Sequence, residues 1–314
     1  MTEQEYVKIV ESAKARGQTA SLVDADEIVR RQLRRILGAA AKLGVPTEDL
    51  SNRLTTVRSF PNPQVNASTS STDDWRTVTI GVNLGLMLFF HKMIKVFISR
   101  FGVIDQDSSR QESSIALGRT AAMGQRLMKA FWDGTLINEP GFPLEEFSKE
   151  QFLLGMNCLD AAETFVIGHE LGHAVINCFP GTLSHVPIGQ SLAESAIDTG
   201  PISVPIEHRA RLIREWGEEF SADYFGLAVT VSSCANPVQK EITLWAIEMA
   251  LVQMDMLEQF YRQRTGQRPP LGSHPPSKVR RIALRAALGK NTPKGILAMM
   301  DGIVDIGHQI LTTG

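Results

Sequence analysis

Cysteine is scarce in this chain of 314 residues: Cys158, Cys178 and Cys234 are the only three, and none shares a CxxC spacing. So few thiols exclude a disulfide framework and a cysteine-built metal knuckle, and they suit a reducing compartment. A dominant charge is missing as well. The chain has 32 Lys and Arg against 34 Asp and Glu, a formal net charge of -2, which leaves no electrostatic footprint for nucleic acid. The arginine clusters at Arg30, Arg31, Arg34, Arg35 and at Arg209, Arg211, Arg214 have acidic neighbours and read as solvated helix faces. Long hydrophobic runs are also absent. The uncharged stretch over 77–90 is ended by His91, Lys92 and Lys95, too short to span a bilayer. The opening residues Met1-Thr2-Glu3-Gln4-Glu5-Tyr6 have neither the basic start nor the apolar segment of a secretory signal. The expectation is a cytoplasmic protein with no integral membrane segment and no nucleic-acid partner. No repeat of fixed period occurs.

The 43% of hydrophobic residues is enough for a sizeable core in one large domain or two small ones. Apolar periodicity predicts helices over 4–16, 24–43, 83–101, 115–131, 206–232, 237–264, 278–288 and 296–311. Val78, Ile80 and Val82 alternate with Thr77, Thr79 and Gly81 as in a half-buried strand. Residues 59–74 and 133–146, rich in turn formers, read as loops, and 102–114 as a linker. Residues 180–205, rich in Gly, Pro and Ser, read as a loop long enough for a lid or cleft wall. The fold class is therefore α+β, mainly α-helical, with one small sheet.

What the chain does contain is His169-Glu170-Leu171-Gly172-His173. On a helix the two imidazoles lie one turn apart on one face, so both can reach a single tetrahedral ion. Glu170 projects beside the open coordination position and can accept a proton from metal-bound water. Phe165, Leu171, Val175 and Phe179 mark an apolar face, so the helix is expected to be buried. Two unpaired imidazoles and a carboxylate on adjacent buried turns are costly without a cation.

A catalytic zinc needs a third protein ligand. Ile176 and Phe179 stand where an HExxHxxGxxH motif would need Gly and His, so that class is excluded. His185 and His208 remain as isolated alternatives with plain readings as loop and helix-surface residues. Glu219 is the stronger candidate. It lies one turn before Asp223 on a second helix, so Glu219 can enter the metal shell while Asp223 bonds the far nitrogen of a ligating histidine. Gly226, on the same side, would let the two helices approach closely.

With these residues in place the chain resembles the gluzincins, zinc peptidases with an HExxH helix and a glutamate ligand on a later helix in the pattern ExxxD. Within them it looks most like the family of HtpX and Ste24 endopeptidases. The shared segments are the strand and helix around Asn83-Leu84-Gly85-Leu86, the run Glu219-Phe220-Ser221-Ala222-Asp223, and Ser273-His274-Pro275-Pro276 followed by Arg280 and Leu284. The chain departs from that family in lacking a membrane span, in an insertion over 102–159, and in Arg281, where an apolar residue is usual. Cytosolic HExxH peptidases such as the phage-exclusion peptidase Lit would show the same core.

The resemblance implies a zincin-like metallopeptidase domain over 75–290, preceded by an N-terminal helical region over 1–58 and followed by a C-terminal helix over 291–314. It implies Zn2+ held by His169, His173 and Glu219, Asp223 behind a ligand, and Glu170 as general base for hydrolysis of a protein or peptide. His274, Tyr224 and Arg280 are the candidates for supporting the oxyanion, His274 first. The substrate is expected to add a strand beside residues 78–82, and the N-terminal helices are available to dock a partner. Two alternatives stand beside this reading: a regulatory or binding protein on a gluzincin-like scaffold, and a defence or toxin peptidase that acts only when triggered.

Overall fold

The computed structural model describes residues 19–60, 67–101, 110–140, 147–181, 186–199, 206–267, 274–289 and 292–312. The helix expected over 4–16, as well as His185 and Ser273, lie outside the described residues. The described chain is mainly helical. In order it runs α1 (Thr19–Lys42), α2 (Thr47–Arg53), β1 (Leu54–Phe60), β2 (Ala67–Ser71), β3 (Val78–Asn83), α3 (Leu84–Ile98), α4 (Arg110–Trp132), α5 (Lys149–Cys178), α6 (Val186–Thr199), α7 (Ile206–Ser232), α8 (Pro237–Thr265), α9 (Ser277–Leu288) and α10 (Lys294–Thr312).

The helix carrying His169 is longer than its motif. A capping box starts α5: Ser148 accepts from the Gln151 N–H while the Gln151 side chain accepts from the Ser148 N–H. Gln151 then donates through Nε2 to the Phe101 carbonyl at 2.6 Å, tying the start of α5 to the end of α3. One hydrophobic core runs from Val29 and Ile36 of α1, through Val78 and Ile80, Phe89 and Phe97, Leu171 and Val175, to Ile303 and Ile310 of α10. The described part of the N-terminal region, from α1 onward, packs into this core. Gln32 of α1, wholly buried, donates to Asp160 Oδ1 at 2.6 Å and accepts from Thr164 Oγ1 at 2.7 Å, both on α5. Arg35 closes on the other oxygen of Asp160. The boundary expected at residue 58 falls inside β1.

The sheet has the order β1-β3-β2, with β1 parallel and β2 antiparallel to β3. The strand over 78–82 is therefore central and already paired on both sides, so it cannot accept a further strand as expected. Residues 59–74 are not one loop either, because β1 ends and β2 lies wholly inside them. Ala67-Ser68-Thr69-Ser70-Ser71 has no apolar alternation to reveal it, being a polar edge strand held by backbone pairing to β3. The supposed long loop over 180–205 contains α6. Ala193 and Ile197, one turn apart, pack with Leu212, Trp216 and Phe220 of α7, and that apolar pair outweighs the neighbouring Gly and Ser. Among the described residues no helix is long and apolar enough to cross a membrane.

Arg281 is buried and paired. Its Nη1 lies 3.2 Å from Glu248 Oε1 on α8, and Arg285 donates to the same carboxylate oxygen at 2.7 Å. A buried acid on the neighbouring helix thus accommodates the Arg281 charge.

Candidate metal centre

Helices α5 and α7 touch backbone to backbone, which sets the site. A Cβ on Gly172 would lie 2.9 Å from Ala222 Cα, and one on Gly226 would lie 2.9 Å from the His169 nitrogen. With no side chain between them, the face carrying His169 and His173 meets the face carrying Glu219 and Asp223. Gly226 contributes as its position suggested; Gly168 and Gly172, inside and beside the motif, are the partners that the sequence reading missed.

Three ligand residues converge across this contact, one atom from each lying within 4.8 Å of the others, and Glu219 meets the two histidines with different oxygens. His169 Nε2 and His173 Nε2 are 3.3 Å apart, His173 Nε2 is 3.3 Å from Glu219 Oε1, and His169 Nε2 is 3.6 Å from Glu219 Oε2. This group could hold a metal ion. Glu219 is 4% exposed, and its Oε2 is a fully buried oxygen without a hydrogen bond. His274 Nδ1 lies 2.9 Å from that oxygen, near enough for charge attraction, but it is not aligned as a donor. An orphaned buried carboxylate oxygen facing two imidazole nitrogens is the donor set of a cation site.

Burial would raise the Glu219 pKa, but the imidazoles of His173 and His274 and the charges of His169 and Arg280 hold it far below the usual carboxylate range. Burial disfavours the charged form of His173, yet Glu219, aided by Glu170, raises its pKa. Glu219 raises that of His274 as well.

Behind the ligands, His169 Nδ1 lies 2.9 Å from Asp223 Oδ1. That contact assigns the proton to Nδ1 and leaves the Nε2 lone pair free for an ion. Asp223 is wholly buried, and Arg280 of α9 grips both its oxygens, with Nε at 2.8 Å from Oδ2. The pair shifts together: Arg280 holds the Asp223 carboxyl down against its burial, and Asp223 raises the Arg280 pKa. Arg280 thus buttresses Asp223 with both of its bonded nitrogens. Glu258 of α8 accepts from the N–H and hydroxyl of Ser277, at 3.0 and 2.5 Å, and so anchors the start of α9, the helix that bears Arg280.

Glu170 is 6% exposed and stands outside the ligand triangle. Thr69 Oγ1 of β2 lies 2.8 Å from Glu170 Oε2 and 2.8 Å from its backbone oxygen. Thr69 escaped the sequence reading because it lies in a segment taken for loop. His274 sits at the rim, its side chain 65% exposed. Tyr224, half-buried, is one residue beyond Asp223 and so about 100° further around α7, off the face that meets the histidines. His208 is exposed on α7 and is not among the grouped ligands.

No protein-family model matches the chain, and neither does any curated protein or solved structure.

Proposed function

We propose that the chain is a zinc-dependent metalloendopeptidase with a zincin-like core, acting on proteins or peptides in the cytoplasm. The observation that carries this reading is the ligand triangle. A tetrahedral ion with bonds of about 2.0–2.1 Å needs ligand edges of roughly 3.3–3.4 Å; the two imidazole nitrogens are 3.3 Å apart, and the Glu219 carboxylate faces them with Oε1 3.3 Å from His173 and Oε2 3.6 Å from His169, one atom from each residue lying within 4.8 Å of the others. Bound there, zinc would polarise the scissile carbonyl and acidify a water.

The chain's own residues divide the remaining work. Glu170, held beside the triangle, takes a proton from the attacking water and passes it to the leaving nitrogen. Asp223 keeps the His169 ring in its ligating tautomer, and Arg280 keeps Asp223 charged and fixed. His274 at the rim is placed to donate to the oxyanion, a contribution typically worth on the order of a hundredfold in rate. An extended substrate pairs along the edge of β2 that no other strand takes up among the described residues, the strand that touches Glu170, rather than beside the central β3.

Metal analysis of the wild type and of Glu170→Gln, with a search for new protein termini in cells expressing each, tests the reading. Equal zinc in both with new termini only in the wild type is expected. A wild type that binds no zinc, or that creates no termini beyond those of Glu170→Gln, refutes it.

A further inference from the structure

A glutamate side chain has three rotatable bonds, and fixing it costs up to about 2 kcal/mol of rotamer freedom. A general base must nevertheless present one oxygen to the attacking water and, moments later, to the leaving nitrogen. Thr69 meets that need from 101 residues away in sequence. Its hydroxyl lies 2.8 Å from Oε2 and 2.8 Å from the backbone oxygen of the same glutamate, so its single proton is shared between these two acceptors and ties Oε2 to the residue's own backbone. The threonine is itself well placed. It stands opposite Ile80, wholly buried in the central strand, while Ser68 and Ser70 on either side are exposed on the other face of β2.

We propose that Thr69 is a positioning residue for Glu170: its hydroxyl holds Oε2, so that Oε1 is the oxygen that exchanges the proton. The inference rests on the peptidase reading and assigns the two carboxylate oxygens different tasks within it. A water O–H bond breaks and Oε1–H forms while the water oxygen bonds to the carbonyl carbon and the C=O π pair moves onto the carbonyl oxygen. That pair then re-forms the C=O bond as the C–N bond breaks, and the proton moves from Oε1 to the leaving nitrogen, restoring the carboxylate. A carboxylic acid protonated on Oε1 still accepts at Oε2, so Thr69 keeps its hold through both transfers. The same short strand that aligns an extended substrate thereby aligns the base.

Thr69→Val keeps the shape and removes the donor; Thr69→Ser keeps the donor. The probe is an internally quenched peptide chosen from a mixed-sequence library by its cleavage with zinc-loaded wild type. Thr69→Val is expected to lower kcat about 10- to 100-fold, with KM within about twofold and zinc content unchanged. Thr69→Ser should return kcat to within about threefold of wild type. In the metal-free protein, the 13C resonance of the Glu170 carboxyl, identified by its loss in Glu170→Gln, should move in Thr69→Val and stay in Thr69→Ser. Wild-type kcat in Thr69→Val, or a raised KM alone, overturns the inference while leaving the peptidase reading intact. If no peptide is cleaved by the wild type, the peptidase reading fails instead, and an unmoved carboxyl resonance in Thr69→Val separately shows that Thr69 does not hold Glu170.

Discussion

Replacing Gly226 by alanine adds one methyl group at the point where α5 and α7 touch, and its consequences can be worked out from the distances. The new Cβ would stand 2.9 Å from the His169 nitrogen, 3.0 Å from the Phe165 oxygen and 3.3 Å from His169 Cα, all backbone atoms that no rotamer change can move. Ordinary contact needs about 3.5–4.0 Å, so the helices must part by roughly 0.6–1 Å. The same movement draws Glu219 away from both histidines and stretches its oxygen–nitrogen contacts of 3.3 and 3.6 Å to roughly 4 Å or more, well past the roughly 3.3–3.4 Å edge of a tetrahedral ion with bonds of about 2.0–2.1 Å. Alanine gains about 1 kcal/mol in helix propensity and overpacking costs about 1–3, so metal-free stability should fall by no more than about 2 kcal/mol. Zinc affinity should fall further, by about 10- to 100-fold, removing about 1.4–2.7 kcal/mol of zinc-dependent stabilisation. Chelator competition and thermal melting with and without zinc separate the two effects. Gly38→Ala in α1, where a Cβ meets nothing within 4 Å, is the control and should be neutral or stabilising. Wild-type zinc affinity in Gly226→Ala would refute the claim that the backbone contact sets the ligand geometry.

Two other outcomes follow from the same packing. Burial and the nearby Asp160 push the Glu163 carboxyl up to about 8 from an ordinary 4.5, so between these values the unfolded chain is ionised while the folded one keeps its proton, and stability falls as pH rises. Glu163→Gln should therefore match wild type near pH 4 and exceed it above pH 8 by on the order of 3 to 5 kcal/mol, and a pH-independent difference in denaturant midpoint would contradict this. Arg280→Met leaves Asp223 buried with only His169 beside it, so zinc affinity should drop about 10- to 100-fold with the three ligands intact; chelator competition at unchanged affinity would remove the buttress role.

Much of the helical scaffold is legible in the sequence. The spacing predicts a helix over 237–264, and α8 spans Pro237–Thr265, marked at its ends by Asn236 as N-cap and Gly266 in the left-handed region. Edge strand β2 is not legible, because its residues are polar and only its neighbour β3 specifies it. Helix α6 was hidden by a composition of Gly, Pro and Ser that suggests a loop until its apolar pair is seen against Trp216 and Phe220. In the site, the pairs His169 with His173 and Glu219 with Asp223 could be read from the chain. Thr69 could not, and the contact of Arg280 with Asp223 could not be read either.

The division has a physical cause. Two residues four apart on a helix share a face because helix geometry is local, so the sequence alone determined which side chains could act together within α5 and within α7. It also excluded a disulfide scaffold, since three scattered cysteines cannot form one. How near those two faces come, which oxygen of Glu170 is held, and whether Arg280 faces a substrate or Asp223 depend on contacts between segments some 50 to 110 residues apart. Only tertiary packing decided those, because a contact at 3 Å between distant segments is set by the smallest side chain at the crossing, here the missing side chains of Gly172 and Gly226.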